Sequence, residues 1–65
     1  MVRGYAAQVR AILTANGCTF VRRGKGDHEI WRSPLALRPI VVDGTILSRH
    51  TANAILKQAG IPTKL

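Results

Sequence analysis

Glycines and prolines cut this chain into pieces too short for a long helix or a broad strand, and that punctuation constrains its fold more than any other feature. Asn16-Gly17, the pair Gly24 and Gly26, the run Ser33 to Pro39, Asp43-Gly44, and Gly60 with Pro62 are all turn or stop signals. The chain has 65 residues, enough for one domain at most. A domain of this size buries only roughly 60% of the surface its unfolded chain exposes, so its core is thin. Such a core leaves no room for an enclosed substrate cavity. Any chemistry must sit on an open surface, which suits a large substrate or a macromolecular partner.

Between the stops, the periodicity alternates from helical to extended and back. Residues 4–16 read as a helix, because Tyr5, Val9, Ile12 and Leu13 recur at helical spacing with Ala6 filling in. Asn16-Gly17 ends it, since both residues tolerate a left-handed backbone. Residues 18–22 read as a strand around Phe20 and Val21. Residues 23–27 form a turn, and 28–32 return as a second strand, so the two make an antiparallel hairpin. Ser33 to Pro39 is a connection, followed by a short third strand at Ile40-Val41-Val42 and a turn at Asp43-Gly44. Ser48 is a good N-cap for a second helix over 49–59, whose apolar stripe is Ala52, Ile55, Leu56 and Ala59. Gly60 and Pro62 stop that helix. The predicted class is α+β, in the order α-β-β-β-α: a three-stranded antiparallel sheet with two helices on one face and the other face wet. Strand alternation sets His28, Ile30 and Arg32 on one face and Glu29 and Trp31 on the other. One of Ile30 and Trp31 therefore lies outside the main core, and the pattern does not say which.

Charge points to the kind of partner. Ten Lys and Arg against three Asp and Glu leave a formal net charge of +7. The cations are spread from Arg3 to Lys64 rather than gathered in a tail, which fits a folded module with a basic face for polyanions. With one cysteine, Cys18, no intrachain disulfide can form. Domains this small that are secreted usually need such staples, so a reducing cytoplasm is the simpler expectation. Cys18 itself reads as a small buried hydrophobe. The first residues open no hydrophobic signal region, and no run approaches the ~20 apolar residues a membrane span needs.

The segment Arg22-Arg23-Gly24-Lys25-Gly26-Asp27-His28 is the candidate for chemistry. Its glycines let the backbone approach a ligand closely, and Arg22, Arg23 and Lys25 suit phosphates. A histidine beside them can move a proton near neutral pH. Phosphate clamping with proton transfer is what cleavage of an RNA backbone requires, and RNA supplies its own nucleophile, the 2′-OH. The plainer reading is a turn followed by a surface histidine. Asp27 and Glu29 either support His28 or are ordinary solvated residues. His50, in the first turn of the second helix, is either a second proton-transfer group or an exposed side chain. Arg49 and Lys57 either track a phosphate backbone or make an ordinary solvated helix face. Trp31 either stacks on a base or packs in the core. Two histidines without a partner cysteine do not have the spacing of a metal site, so no metal or other cofactor is expected.

The stretches Gly17–Phe20 and Arg22–Trp31, with the tail Ser48–Gly60, resemble the HicA (YcfA-like) toxins over nearly the whole chain. The resemblance implies a fold like that of the double-stranded-RNA-binding domain (dsRBD-like), with residues 1–65 as a single toxin domain. It implies an mRNA interferase: a metal-independent endoribonuclease neutralised by a HicB-like antitoxin that covers its active site. The family's catalytic histidine follows a glycine and a small polar residue, a pattern that maps onto Gly26-Asp27-His28. The family often has serine or threonine where this chain has Asp27. Beside catalytic His28, the RNA contacts expected are Arg22, Arg23, Lys25, Gly26, Arg32, Arg49 and Lys57, with Asp27 and His50 as secondary candidates. Two other functions remain open on the residues alone. One is a non-catalytic RNA-binding module of the same fold, and the other is a protein-interaction domain whose basic face meets an acidic partner.

Overall fold

A computed structural model describes residues 4–65. Its elements run α1 (Ala6–Ala15), β1 (Thr19–Arg23), β2 (Glu29–Arg32), β3 (Ile40–Val42) and α2 (Arg49–Gln58). The strands form one antiparallel sheet in the order β1-β2-β3. This is the α-β-β-β-α architecture expected, in the α+β class.

The ends of the elements follow local hydrogen bonding. Helix α1 starts two residues later than its apolar stripe suggests, because Tyr5 keeps a non-helical backbone and its N–H donates to the Ile46 carbonyl at 2.7 Å. Helix α2 starts at its expected cap: the Ser48 hydroxyl accepts from the backbone N–H groups of His50 and Thr51 at 3.1 and 3.4 Å. Gly17 and Gly60, just beyond the two helices, have φ of +84° and +78°, the left-handed stop read from the sequence. In the hairpin, Arg23 belongs to β1 rather than to the turn, since it pairs with Glu29. His28 precedes β2 instead of opening it. Its N–H donates to the Lys25 carbonyl at 3.2 Å, and its carbonyl accepts from Gly24 at 2.8 Å.

The two helices cover one face of the sheet. Val9 and Leu13 of α1 and Ala52, Ile55 and Leu56 of α2 pack with Trp31, Ile40 and Val42 of the sheet. Cys18, Ile46, Ala59 and Ile61 complete this core, so Cys18 is the buried hydrophobe expected. Trp31, not Ile30, is the core residue of β2: its side chain is buried and Ile30 is half-buried on the far face. Phe20 meets the edge of Trp31 in a T-shaped contact with ring centroids 6.1 Å apart, a geometry that aromatic quadrupoles favour. The buried Ser33 ties the end of β2 to the end of α2, its hydroxyl donating to the Ala59 carbonyl at 2.6 Å and accepting from Leu35 N–H at 3.1 Å.

One irregularity decides which way the β1 cations face. Phe20 pairs with Trp31 and Arg22 with Ile30, so Val21 is an extra residue in β1. Such a bulge shifts the alternation by one. Without it, Arg22 would point towards the helices. With it, Arg22 shares the outer face with Ile30, and Arg23 shares the inner face with Glu29.

Glu29 is the polar joint between sheet and helix. Both of its carboxylate oxygens accept from the Arg10 guanidinium of α1 at 3.1 Å, and Oε1 also accepts from the Trp31 indole N–H at 2.9 Å. The bonds from Arg10 first, and from Trp31 second, hold the Glu29 carboxyl below its ordinary value. A lowered folded-state pKa contributes stability above the unfolded value, and that contribution is lost as pH falls through the folded one. Arg10 is 36% exposed, so the charge part is worth under about 1 kcal/mol. Urea titrations should therefore show less acid-side destabilisation in Glu29→Gln than in the wild type. Glu29→Ala should cost more, about 1–3 kcal/mol, because it leaves the buried Trp31 N–H without its acceptor.

Candidate nucleic-acid interface

Three of the sequence-predicted residues, Arg22, His28 and Arg32, lie on the uncovered face of the sheet. Register and alternation put Arg32 opposite Thr19, and Arg22, Ile30 and Val41 in one row across the three strands. His28 continues the Ile30 side of β2 beyond the end of the strand. Arg32 lies four residues further along the same row, roughly 13 Å away at the usual strand rise. Arg22, Arg32 and His28 are all exposed. The result is an open, mildly apolar face with a histidine at one end and arginines beside and beyond it.

His28 has a partner that sequence reasoning missed. Its Nε2 lies 3.0 Å from Oδ1 of Asp43, and the two side chains are 47% and 43% exposed. The register explains the pairing. Glu29 is opposite Val42, so the residue before Glu29 lies beside the residue after Val42. The only signal in the sequence was an aspartate directly after a short strand, which reads as ordinary turn chemistry. A carboxylate that accepts from Nε2–H holds the neutral ring in the tautomer whose lone pair is on Nδ1.

Gly44 brings these two loops together. A Cβ at this position would lie 2.8 Å from the Asp27 carbonyl oxygen and 3.0 Å from the Asp27 Cβ. The absence of a side chain thus lets the hairpin tip settle on the turn that carries Asp43. Asp27 packs here, with the exposed Lys25 and Gly26 beside it in the tip, where Gly26 has φ of +65°. Among the described residues, the carboxylate paired with His28 is Asp43 and not either of its sequence neighbours. Glu29 lies on the opposite face from His28, as strand alternation predicts, but there its carboxylate is bonded to Arg10 rather than solvated, and it does not support His28. Arg23 lies on that same inner side of the sheet.

The α2 candidates are not part of this face. Arg49 and His50 occupy the first turn of α2, and Lys57 its last turn, where a cation also meets the negative end of the helix dipole. His50 and Lys57 line a separate groove against the C-terminal segment. Trp31 is occupied by the core, so it is not a surface for base stacking. Among the described residues, no group of three or more His, Cys, Asp or Glu is arranged to hold a metal ion. None of the described helices is long and apolar enough to cross a membrane.

The family model for the HicA toxin of bacterial toxin–antitoxin systems matches residues 6–61. No curated protein and no solved structure matches the chain.

The close approach at Gly44 has a measurable consequence. Gly44→Ala should lose about 1–3 kcal/mol of stability, as overpacked sites do. It should also shift the His28 imidazole resonances as the hairpin tip moves off Asp43. Unchanged stability and unchanged resonances would show that this contact does not hold the pair.

Proposed function

Because the chain belongs to the HicA toxin family and is the toxin of a toxin–antitoxin system, we propose that it is a metal-independent endoribonuclease (an mRNA interferase) with His28 as its general base. The observation that carries this reading is the His28–Asp43 pair at 3.0 Å on an open, cationic sheet face. An RNA strand lies across that face, with phosphates held by Arg22, Arg32 and Lys25 of the hairpin tip. Gly26 leaves the tip backbone free to approach the strand. Nδ1 of His28 takes the proton from a ribose 2′-OH as its oxygen attacks the adjacent phosphorus. The bond from phosphorus to the 5′ oxygen breaks, and that oxygen gains a proton from solvent. The products are a 2′,3′-cyclic phosphate and a 5′-OH end. The nearby cations stabilise the charge that grows on the phosphoryl oxygens.

Asp43 is a positioning residue in this scheme. It accepts from Nε2–H and keeps the lone pair on Nδ1. Arg23 adds positive potential from the inner side of the sheet, and Asp27 shapes the tip. Arg49, His50 and Lys57 act away from the reacting atoms.

A site open to solvent needs an external control, and a HicB-like antitoxin that covers the His28 face supplies it. An acidic surface on that partner gives fast, salt-sensitive association. The cytoplasm, where mRNA is the substrate, is the compartment this reading requires. It also treats residues 1–65 as one toxin domain.

The test is incubation of the purified protein with a defined RNA in EDTA. Wild type should cleave, and His28→Ala should be slower by about 10²–10⁴-fold, the usual worth of a general base. Intact RNA with the folded, antitoxin-free wild type, together with a gel shift, would favour a non-catalytic RNA-binding module. Asp43→Asn should lower kcat by about 10²-fold with KM nearly unchanged. Its amide can donate to the ring and favour the wrong tautomer, and misplacement of a reacting group costs on that order. A rise in KM at constant kcat would instead make Asp43 a substrate contact.

A further inference from the structure

A second basic site lies on α2. His50, Asn53, Ala54 and Lys57 follow one another at helical spacing along one side of the helix and form one wall of a groove of about 580 Å³. The other wall is the segment from Ile61 to Lys64, which runs back along the helix. That wall is built, not draped. Gly60 reverses the chain with φ of +78°, and Ile61 N–H donates to the Leu56 carbonyl at 3.0 Å. Ile61 is buried in the core, and Leu65 N–H donates to Asn53 Oδ1 at 2.7 Å.

Asn53 also donates from Nδ2 to the Leu65 carbonyl at 3.5 Å, at the edge of the groove, and no Asp or Glu side chain lines it. The three acidic residues of the chain, Asp27, Glu29 and Asp43, all belong to the hairpin and the turn after β3. No Asp or Glu follows Asp43, whereas the cations Lys57 and Lys64 line the groove, with the His50 imidazole beside them. Its apolar lining comes from Ala54, Ile61 and Pro62. The volume falls within the range of about 300–1,000 Å³ common for small-molecule sites. Cations around a small apolar surface are complementary to a nucleotide, with its phosphates on the lysines and its base against Pro62 and Ala54.

We propose that this groove is a second RNA subsite, which holds one nucleotide segment of a single strand away from the bond being cut. It rests on the reading of the protein as an RNA-cleaving toxin and adds a place that anchors the substrate. The strand held here is the same molecule that crosses the His28 face, so the groove raises affinity for long RNA by tethering it.

The experiment is fluorescence anisotropy of a long 2′-O-methyl oligonucleotide, which offers no 2′-OH for cleavage, with the full chain. Lys57→Ala/Lys64→Ala should weaken binding by about tenfold. The slope of log affinity against log salt should become shallower by about 1.4, at roughly 0.7 for each single-strand phosphate that is no longer neutralised. Both lysines are exposed, and circular dichroism checks that the variant is folded. Wild-type affinity and slope in the double variant would overturn the proposal. So would a loss of binding to polyglutamate with RNA binding intact, since the groove would then serve an acidic protein. Because the oligonucleotide cannot be cut, the result is independent of the cleavage assay. Failure of the wild type to cleave RNA in EDTA, with this lysine-dependent binding present, would remove the ribonuclease reading and leave the groove as an RNA site.

Discussion

The burial of Trp31 on the central strand is the constraint from which the rest of the molecule follows. β2 is bonded on both edges, so its alternation is imposed on β1 and β3. Trp31 and Glu29 face the helices, and His28, Ile30 and Arg32 face away. A register slip of one residue would reverse every one of these assignments. It would expose the indole and push His28 towards the core. Full burial of a large side chain is worth roughly 1.5–3 kcal/mol, a sizeable share of what a small domain has in reserve. Placement of a histidine on the open face is thus a by-product of where the tryptophan must go.

The few carboxylates then divide the labour between the two sides of the sheet. Glu29 turns inward, satisfies the Trp31 indole and holds Arg10 of α1. Asp43 sits at the outward end and holds His28. The bulge at Val21 completes the separation, because it sends Arg22 outward and Arg23 in towards Glu29. A thin domain that cannot enclose a cavity thereby acquires a charged, solvent-open surface with one hydrogen-bonded histidine at its edge.

Local chemistry made much of the architecture readable. The Ser48 cap, the left-handed glycines after each helix and the apolar stripes of α1 and α2 all depend on residues within a few positions of one another. So does the hairpin with its glycine tip, and with it the position of His28 beside a cluster of cations. The exact ends were less legible, because the start of α1 depends on the distant Ile46 carbonyl and the extent of β1 on Glu29 across the hairpin.

By itself, then, the sequence determined the elements, their order, the two-layer class and the family resemblance, because helix period, strand alternation, caps and turns are short-range properties. Tertiary structure decided the choice between Ile30 and Trp31, since both suit a strand and only the position of the helices selects the covered face. It also decided that Asp43 and not Asp27 partners His28, that Glu29 serves Arg10 and Trp31, and that His50 and Lys57 stand apart in their own groove. Each of these depends on a contact between residues distant in the chain. Strand register, a one-residue bulge and the missing Cβ at Gly44 set those contacts, and none of the three leaves a periodic trace in the sequence.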